Sequence, residues 1–309
     1  MSHLNLQPGQ TAVITGAASG FGLELARLGA QKGLNLVLTD VQQEALDKVV
    51  AELTAAGAHV AALRGDVSRG EDIQALADLC LERFGVPHIV INNAGVAYGG
   101  LIWEAGPRDW EWVLGVNLWG VIHGVRVFTP LMLAEARKNP AYQGHIVNVA
   151  SMAGMLNSPN LGVYNVSKHA VVSLSETLYQ DLALVTDQVH ASVLCPYFVP
   201  TGIHQSHRNR PAELRTDAKP TASQLIGQAM SAKAVTSGKV TATDTAALVF
   251  NAIEANQFYV YTHPKAIGMV QVRMEDVMQA RNPTDPFAGK PEIGEQLKTA
   301  LRDALAKED

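Results

Sequence analysis

Three side chains in the stretch "SMAGMLNSPNLGVYNVSKHA", residues 151–170, could together move a proton: Ser151, Tyr164 and Lys168. Tyr164 and Lys168 lie four residues apart, so a helix would stack them on one face. An ammonium one turn from a phenol favours the phenolate over its unperturbed pKa of about 10. A phenol so poised serves as general base toward an alcohol or general acid toward a carbonyl. The same pair occurs by chance on many helices, so its chemistry depends on what the rest of the chain supplies.

A second set of residues could hold an anion. The segment "TGAASGFG", residues 15–22, follows the apolar run "TAVIT". Gly16, Gly20 and Gly22 would let the chain turn tightly and aim helix-terminal N–H groups at a pyrophosphate. Asp40 ends the next apolar run, 18 residues after Gly22, near the spacing of an acid that bonds a ribose 2′-hydroxyl. A carboxylate there repels a 2′-phosphate, and Val41 offers no cation, so NAD is expected over NADP. Asp40 could also cap the helix that follows, and it could do both.

The elements that must position these groups show in the hydrophobic pattern. Short runs at 11–15, 35–39, 59–64, 88–92, 145–150 and 190–195 are almost continuously apolar, as strands covered on both faces are. Amphipathic segments separate them, such as 42–57 and 70–85, each ending at a glycine. This alternation predicts an α/β fold, a Rossmann-type doubly wound parallel sheet built from right-handed crossovers. A single domain is expected over 1–309, with a core at 8–202 and a polar, proline-punctuated lid at 203–240. Residues 241–309 should add helices near 242–256 and 264–281, a strand at 258–262 and a helical surface tail.

Taken together, the motifs resemble the short-chain dehydrogenase/reductase family over roughly residues 8–202. The resemblance rests on Thr15-Gly16-xxx-Gly20-x-Gly22, Asp66-Val67, "NNAG" at 92–95, Asn117 in "GVNLWGV", Ser151, and Tyr164-xxx-Lys168, in that order. The three-residue gap between the first two glycines resembles the short single-domain branch. It implies that Gly16, Ser19, Gly20, Phe21 and Gly22 hold the cofactor pyrophosphate and Asp40 the adenosine ribose. Asp66 and Val67 would flank the adenine, and Asn93, Ala94 and Gly95 would line the middle of the cofactor. Tyr164 and Lys168 would bond the nicotinamide ribose; of the cofactor-binding segment matched by Pro196, Val199 and Thr201, Thr201 and the Val199 backbone would hold the carboxamide. Ser151 would fix the substrate oxygen, and Asn117 a water linking Lys168 to solvent. Two departures stand out: Tyr197 occupies a usual glycine position in "PYFVPT", and "FYVYTHP" replaces a glycine-rich ending. In lid and ending the chain is similar to bacterial members that oxidise bulky, often aryl-bearing, secondary alcohols.

Residues beside the motifs should form the substrate wall: Val96, Ala97, Met152, Met155, Leu156, Leu161, Tyr197, Phe198 and Ile203. They suit a hydrophobic secondary alcohol or its ketone. The lid also holds His204, His207, Arg208, Arg210 and Arg215, which could attract a substrate carboxylate, cover the cofactor diphosphate, or only face solvent. His204 and His207 have a spacing seen in metal sites but lack a third ligand, so no metal is expected.

Of the 309 residues, 47% are hydrophobic and 17% charged, with a net charge of -5, which argues against nucleic-acid binding. The start lacks a secretory pattern, and no wholly uncharged apolar run reaches membrane-spanning length, so neither export nor a membrane partner is expected. Cys80 and Cys195 read as reduced thiols of a cytoplasmic protein. The outer faces of long helices near 109–136 and 162–186 would pair across a homodimer or homotetramer, as the resemblance implies. Two other functions compete: an NADPH-dependent biosynthetic ketoreductase on acyl or polycyclic substrates, which Asp40 disfavours, and a non-catalytic nucleotide sensor. A sensor would be expected to lose part of the Ser-Tyr-Lys set, which is intact here.

Overall fold

Seven aliphatic runs pair into one parallel sheet in a computed structural model that describes residues 6–216 and 218–306. The strands are β1 (Thr11–Thr15), β2 (Asn35–Asp40), β3 (Val60–Arg64), β4 (Ile89–Asn92), β5 (Gly144–Val149), β6 (Val189–Cys195) and β7 (Tyr259–Tyr261). Their order is β3-β2-β1-β4-β5-β6-β7, so the chain reverses its direction of travel between β1 and β4. In open parallel sheets that reversal leaves a crevice at the carboxyl ends of the two strands, where ligands bind.

Helices cover both faces, in keeping with strands that are apolar on both sides. They are α1 (Gly20–Gln31), α2 (Gln43–Ala55), α3 (Gly70–Phe84), α4 (Pro107–Leu114), α5 (Gly120–Lys138) and α6 (Gly162–Val185). Beyond β6 come α7 (Ala222–Thr236), α8 (Ala242–Glu254), α9 (Ile267–Met278) and α10 (Pro291–Leu305). Strand side chains alternate between two cores. Ala12, Ile14, Leu36, Leu38, Ile89 and Ile91 pack with α1, α2 and α8 on one face. Val13, Val37, Val90 and Ile146 pack with α3, α5 and α6 on the other. Phe250 anchors the first core and Phe128 the second, both fully buried. Truncating either to alanine should cost about 3–5 kcal/mol.

A π-helical turn, Gly115–Trp119, joins α4 to α5 and makes one continuous helix of 107–138. A wholly uncharged run is absent, but an 18-residue window of this helix reaches a mean hydropathy of 1.2. By length and composition that window could cross a membrane, unlike the expectation from uncharged runs alone. Here Phe128 and Met132 of the same helix pack into the second core instead.

The lid is more regular than its composition suggests. Two short 3-10 segments, Gly202–Asn209 and Ala212–Leu214, lead into α7, which a Thr221–Gln224 capping box starts. The C-terminal helix α10 packs on α7 and buries Leu297.

Candidate active site

The crevice predicted by the strand order is a cavity of about 660 Å³ that runs along the carboxyl ends of β1, β2, β4 and β5. Gly16, Ser19, Gly20, Phe21, Asp40, Asp66, Val67, Asn93, Ala94, Gly95, Tyr164, Lys168, Pro196 and Thr201 line it, fourteen of the expected positions in one wall.

The three glycines of the first turn have different reasons. Gly16 has φ +64, and a Cβ on it would meet the Ala94 Cα at 2.8 Å. A Cβ on Gly22 would overlap the Gly16 carbonyl. These two therefore serve the packing of the turn, and Gly22 does not reach the cavity. Gly20, at φ +55, faces open space apart from Thr201 at 3.4 Å. Ser19 caps α1 without a side-chain hydrogen bond, so no side chain takes the first-turn N–H groups. An open glycine beside uncapped N–H groups fits an anionic diphosphate.

Asp40 is tied to the same turn. One carboxylate oxygen accepts from the Ala18 N–H at 3.0 Å and the other from the Gln42 N–H at 2.9 Å. It bonds the N–H of Gln42, the N-cap residue of α2, so it does not itself cap that helix as one sequence reading had it, and it borders the cavity. Each oxygen keeps a lone pair for a ribose hydroxyl. Arg64 reaches the Val41 carbonyl at 3.2 Å but does not line the cavity. The Asp66 carboxylate accepts from both the N–H and the hydroxyl of Ser68, which shapes the loop that presents Val67.

Asn93 binds inward. Its amide donates to the Thr15 carbonyl at 2.8 Å, and the Thr15 hydroxyl accepts from the Asn93 and Ala94 N–H groups. It joins the β1 and β4 loops. Asn117, fully buried on the π-helical turn, does the same for the next residues. Its side-chain oxygen accepts from the Val96 N–H at 2.8 Å, and its amide donates to the Val96 carbonyl and the Ser167 hydroxyl, both at 3.0 Å. Both amide hydrogens are spent inside the protein, so the side chain positions a loop and has no donor left for the water expected of it.

Of the catalytic candidates, Tyr164 and Lys168 border the cavity, whereas Ser151 and Asn117 do not line it. Tyr164 and Lys168 share a face of α6, the Lys168 Nζ 5.8 Å from the Tyr164 ring centre. That nitrogen donates to the Val149 carbonyl at 2.9 Å, away from the phenol. Burial pushes the Tyr164 phenol above its usual value, and a hydrogen bond with Ser151 pulls the other way. The expected acidification by Lys168 is not seen in the protein by itself: burial dominates the phenol, and Lys168, bonded to the Val149 carbonyl, does not figure among its perturbers. Burial lowers Lys168 in turn to about 8, with the nearby Cys195 thiol opposing. The Ser151 hydroxyl accepts from the Ala153 N–H at 3.1 Å and donates to the Pro196 carbonyl at 3.4 Å.

The expected substrate wall divides. Val96 and Ile203 line the cavity. Ala97 lines a second, outer cavity of about 780 Å³ between the lid, α7 and α4. Met152, Met155, Leu156 and Tyr197 pack into a core cluster with Val193 and Val270, so they border neither cavity. Leu161 is bridged to Gly100, Phe198 is exposed, and Val199 is buried away from the cavity. Tyr197 is the sharpest departure. Its N–H donates to the Thr262 hydroxyl at 3.0 Å, and its ring lies against that of Phe198, centroids 4.1 Å apart and tilted by 34°. It replaces the usual glycine to dock the C-terminal segment. The apolar lining comes instead from Trp112, Leu114, Val116 and Leu214. Val116 adjoins Asn117 in the "GVNLWGV" motif, but no motif marks Trp112, Leu114 or Leu214; only a helix amphipathicity shared with core residues could have suggested those three. Among the described residues, no three His, Cys, Asp or Glu side chains gather as a metal site requires.

Comparison with known proteins agrees with this geometry. The short chain dehydrogenase family profile matches residues 10–212. A short chain dehydrogenase/reductase from Burkholderia phymatum, solved in complex with NAD, is 52% identical with a TM-score of 0.89, over 92% of this chain and 99% of that one. The CLA biosynthesis dehydrogenase/reductase of Lactiplantibacillus plantarum is 33% identical over 270 residues, 86% of this chain and 92% of its own length. The 1-deoxy-11-beta-hydroxypentalenate dehydrogenase of Streptomyces exfoliatus is 33% identical, over 87% of this chain and 88% of its own.

Proposed function

This chain belongs to the short-chain dehydrogenase/reductase family, and on that premise we propose that it interconverts a bulky, hydrophobic secondary alcohol and its ketone with NAD as the preferred cofactor. One observation carries the reading: the Asp40 carboxylate and the Tyr164 phenol line the same cavity. The uncapped N-terminus of α1 and the open face of Gly20 border the same cavity.

The bound nicotinamide would supply the hydride acceptor or donor. The chain's own residues do the rest. Asp40 favours a free 2′-hydroxyl, since two negative groups would meet if a 2′-phosphate entered. Asn93 and Asn117 hold the β4 loop rigid under the substrate. The Ser151 hydroxyl, which lowers the phenol of Tyr164 against the effect of burial, would orient the substrate oxygen toward it. Tyr164 takes the proton in oxidation and returns it in reduction. Trp112, Val96, Ile203 and Leu214 exclude water and accept an apolar group. Relatives named as a hydroxypentalenate dehydrogenase and a cyclohexanol dehydrogenase support a hydroxylated, bulky one.

The test is cofactor reduction with NAD⁺ and NADP⁺ across a panel of secondary alcohols, beside Tyr164→Phe. NAD⁺-dependent turnover on bulky apolar alcohols, lost in the variant, is expected. Faster turnover of small polar alcohols would overturn the substrate class. Preference for NADP⁺ would favour the ketoreductase reading, and cofactor binding with no turnover of any alcohol or ketone the nucleotide sensor.

A further inference from the structure

The lid's basic side chains separate to two sides. His204, His207, Arg210 and Arg215 border the outer cavity, whereas Arg208 borders the cavity shared by Gly20 and Tyr164. Its neighbours in the chain explain the placement. Two residues earlier, the buried Ser206 hydroxyl accepts from the Ala97 N–H at 2.9 Å and lies 3.4 Å from the Ala97 carbonyl. Two residues later, Arg210 pairs with Asp109 at 2.6 Å, its guanidinium 5.3 Å from the centre of the Trp112 ring. Both anchors are largely out of water, so the segment between them is held at each end.

Arg208 projects from that pinned segment over the backbone of Gly202. Its terminal nitrogens lie 3.5 and 3.8 Å from where a Gly202 Cβ would sit. The adjoining Thr201 lies 3.4 Å from the Cβ position of Gly20, in the uncapped first turn of α1. A guanidinium, a helix N-terminus and an open glycine thus converge on one part of the cavity wall. Arg208 hydrogen-bonds the Gln205 carbonyl at 3.4 Å and the Gln205 side-chain oxygen at 3.2 Å. Both bonds are long and go to neutral acceptors, so exchange for a doubly charged anion is favourable.

We propose that Arg208 is a counter-ion that the lid supplies to the cofactor diphosphate, so that lid docking and cofactor occupancy are coupled. This rests on the NAD-binding reading above. The guanidinium adds charge-assisted hydrogen bonds to those of the α1 N-terminus. By linkage, a diphosphate that binds the docked lid more tightly also stabilises the docked lid.

The experiment is calorimetric titration of wild type, Arg208→Ala and Arg208→Lys with NADH, ADP-ribose and adenosine. In Arg208→Ala, affinity for NADH and ADP-ribose should fall about tenfold, while adenosine binding stays unchanged. Lysine should recover part of the loss, and added salt should narrow the gap. NADH should protect the lid from trypsin in wild type more than in Arg208→Ala. ADP-ribose affinity within about twofold of wild type, or an equal loss for adenosine, overturns the proposal. Failure to find an alcohol substrate leaves these titrations readable. A wild type that binds neither NADH nor ADP-ribose overturns the cofactor reading and this inference together.

Discussion

The Lys168 ammonium donates to the Val149 carbonyl at 2.9 Å and stands 5.8 Å from the centre of the Tyr164 ring. The bond holds the cation at the end of β5, between the catalytic helix and the cavity. Gly95 lies beside it: a Cβ there would sit in ordinary contact, 3.6 Å from the Lys168 Nζ and 3.5 Å from the Asn117 side-chain oxygen. The active-site cation is therefore placed by the sheet first and by the phenol only second.

Removing the phenol's proton should separate chemistry from binding. Tyr164→Phe is expected to lower kcat by about 10²- to 10⁴-fold. Its thermal midpoint and its affinity for NADH should stay close to wild type. Steady-state kinetics beside NADH titration checks this, and retained turnover in the variant would remove Tyr164 from the proton transfer.

Lys168 gives the stability a pH dependence whose sign is defined. Its folded pKa, about 8, lies below its ordinary 10.5. From about pH 8 to 10.5 the unfolded chain holds a proton that the folded one has released, so this group's contribution rises with pH. Below that window both states are protonated, and the folded state bears the constant cost of a buried charge. Thermal unfolding of wild type and Lys168→Met across this range should show the rise in wild type and lose it in the variant. Equal slopes would mean that Lys168 titrates normally.

Asn117 should matter to the fold as well as the site. Alanine there strands the Val96 N–H and carbonyl, two buried groups, while the Ser167 hydroxyl keeps the Tyr164 carbonyl as its acceptor. The expected loss is about 2–4 kcal/mol by urea unfolding, with reduced kcat in the remaining folded enzyme. Full stability with reduced kcat would instead point to a direct part in proton transfer.

Asp40 should govern the choice between cofactors. Asp40→Ser removes the negative charge at the ribose end and frees the Ala18 and Gln42 N–H groups for other partners. The ratio of kcat/KM for NAD⁺ over NADP⁺ should fall about tenfold or more. An unchanged ratio would move the discrimination to Arg64 or another neighbour of Val41.

Much of the site was legible in the chain because its requirements are local. A glycine turn between an apolar strand and a helix needs no distant partner to be recognised, and Gly16, Gly20 and Gly22 fell where expected. The strands were legible because sheet burial on both faces leaves a continuous apolar run, which the burial of Ala12, Val13 and Ile14 reflects. The spacing of Tyr164 and Lys168 determined that they share a helix face.

The tertiary structure decided where each side chain finds its partner. Tyr197 turned toward Thr262, 65 residues later in the chain, and Met152 and Leu156 joined a core with Val270. Arg208 and Arg210, two residues apart, went to different cavities because Asp109 captured only the second. Helical and strand periods depend on neighbours a few residues away, so sequence alone determined the elements, their faces and the family. Hydrogen bonds and burial depend on groups far along the chain, so only the folded protein decided that Lys168 faces Val149 and that Trp112 walls the cavity.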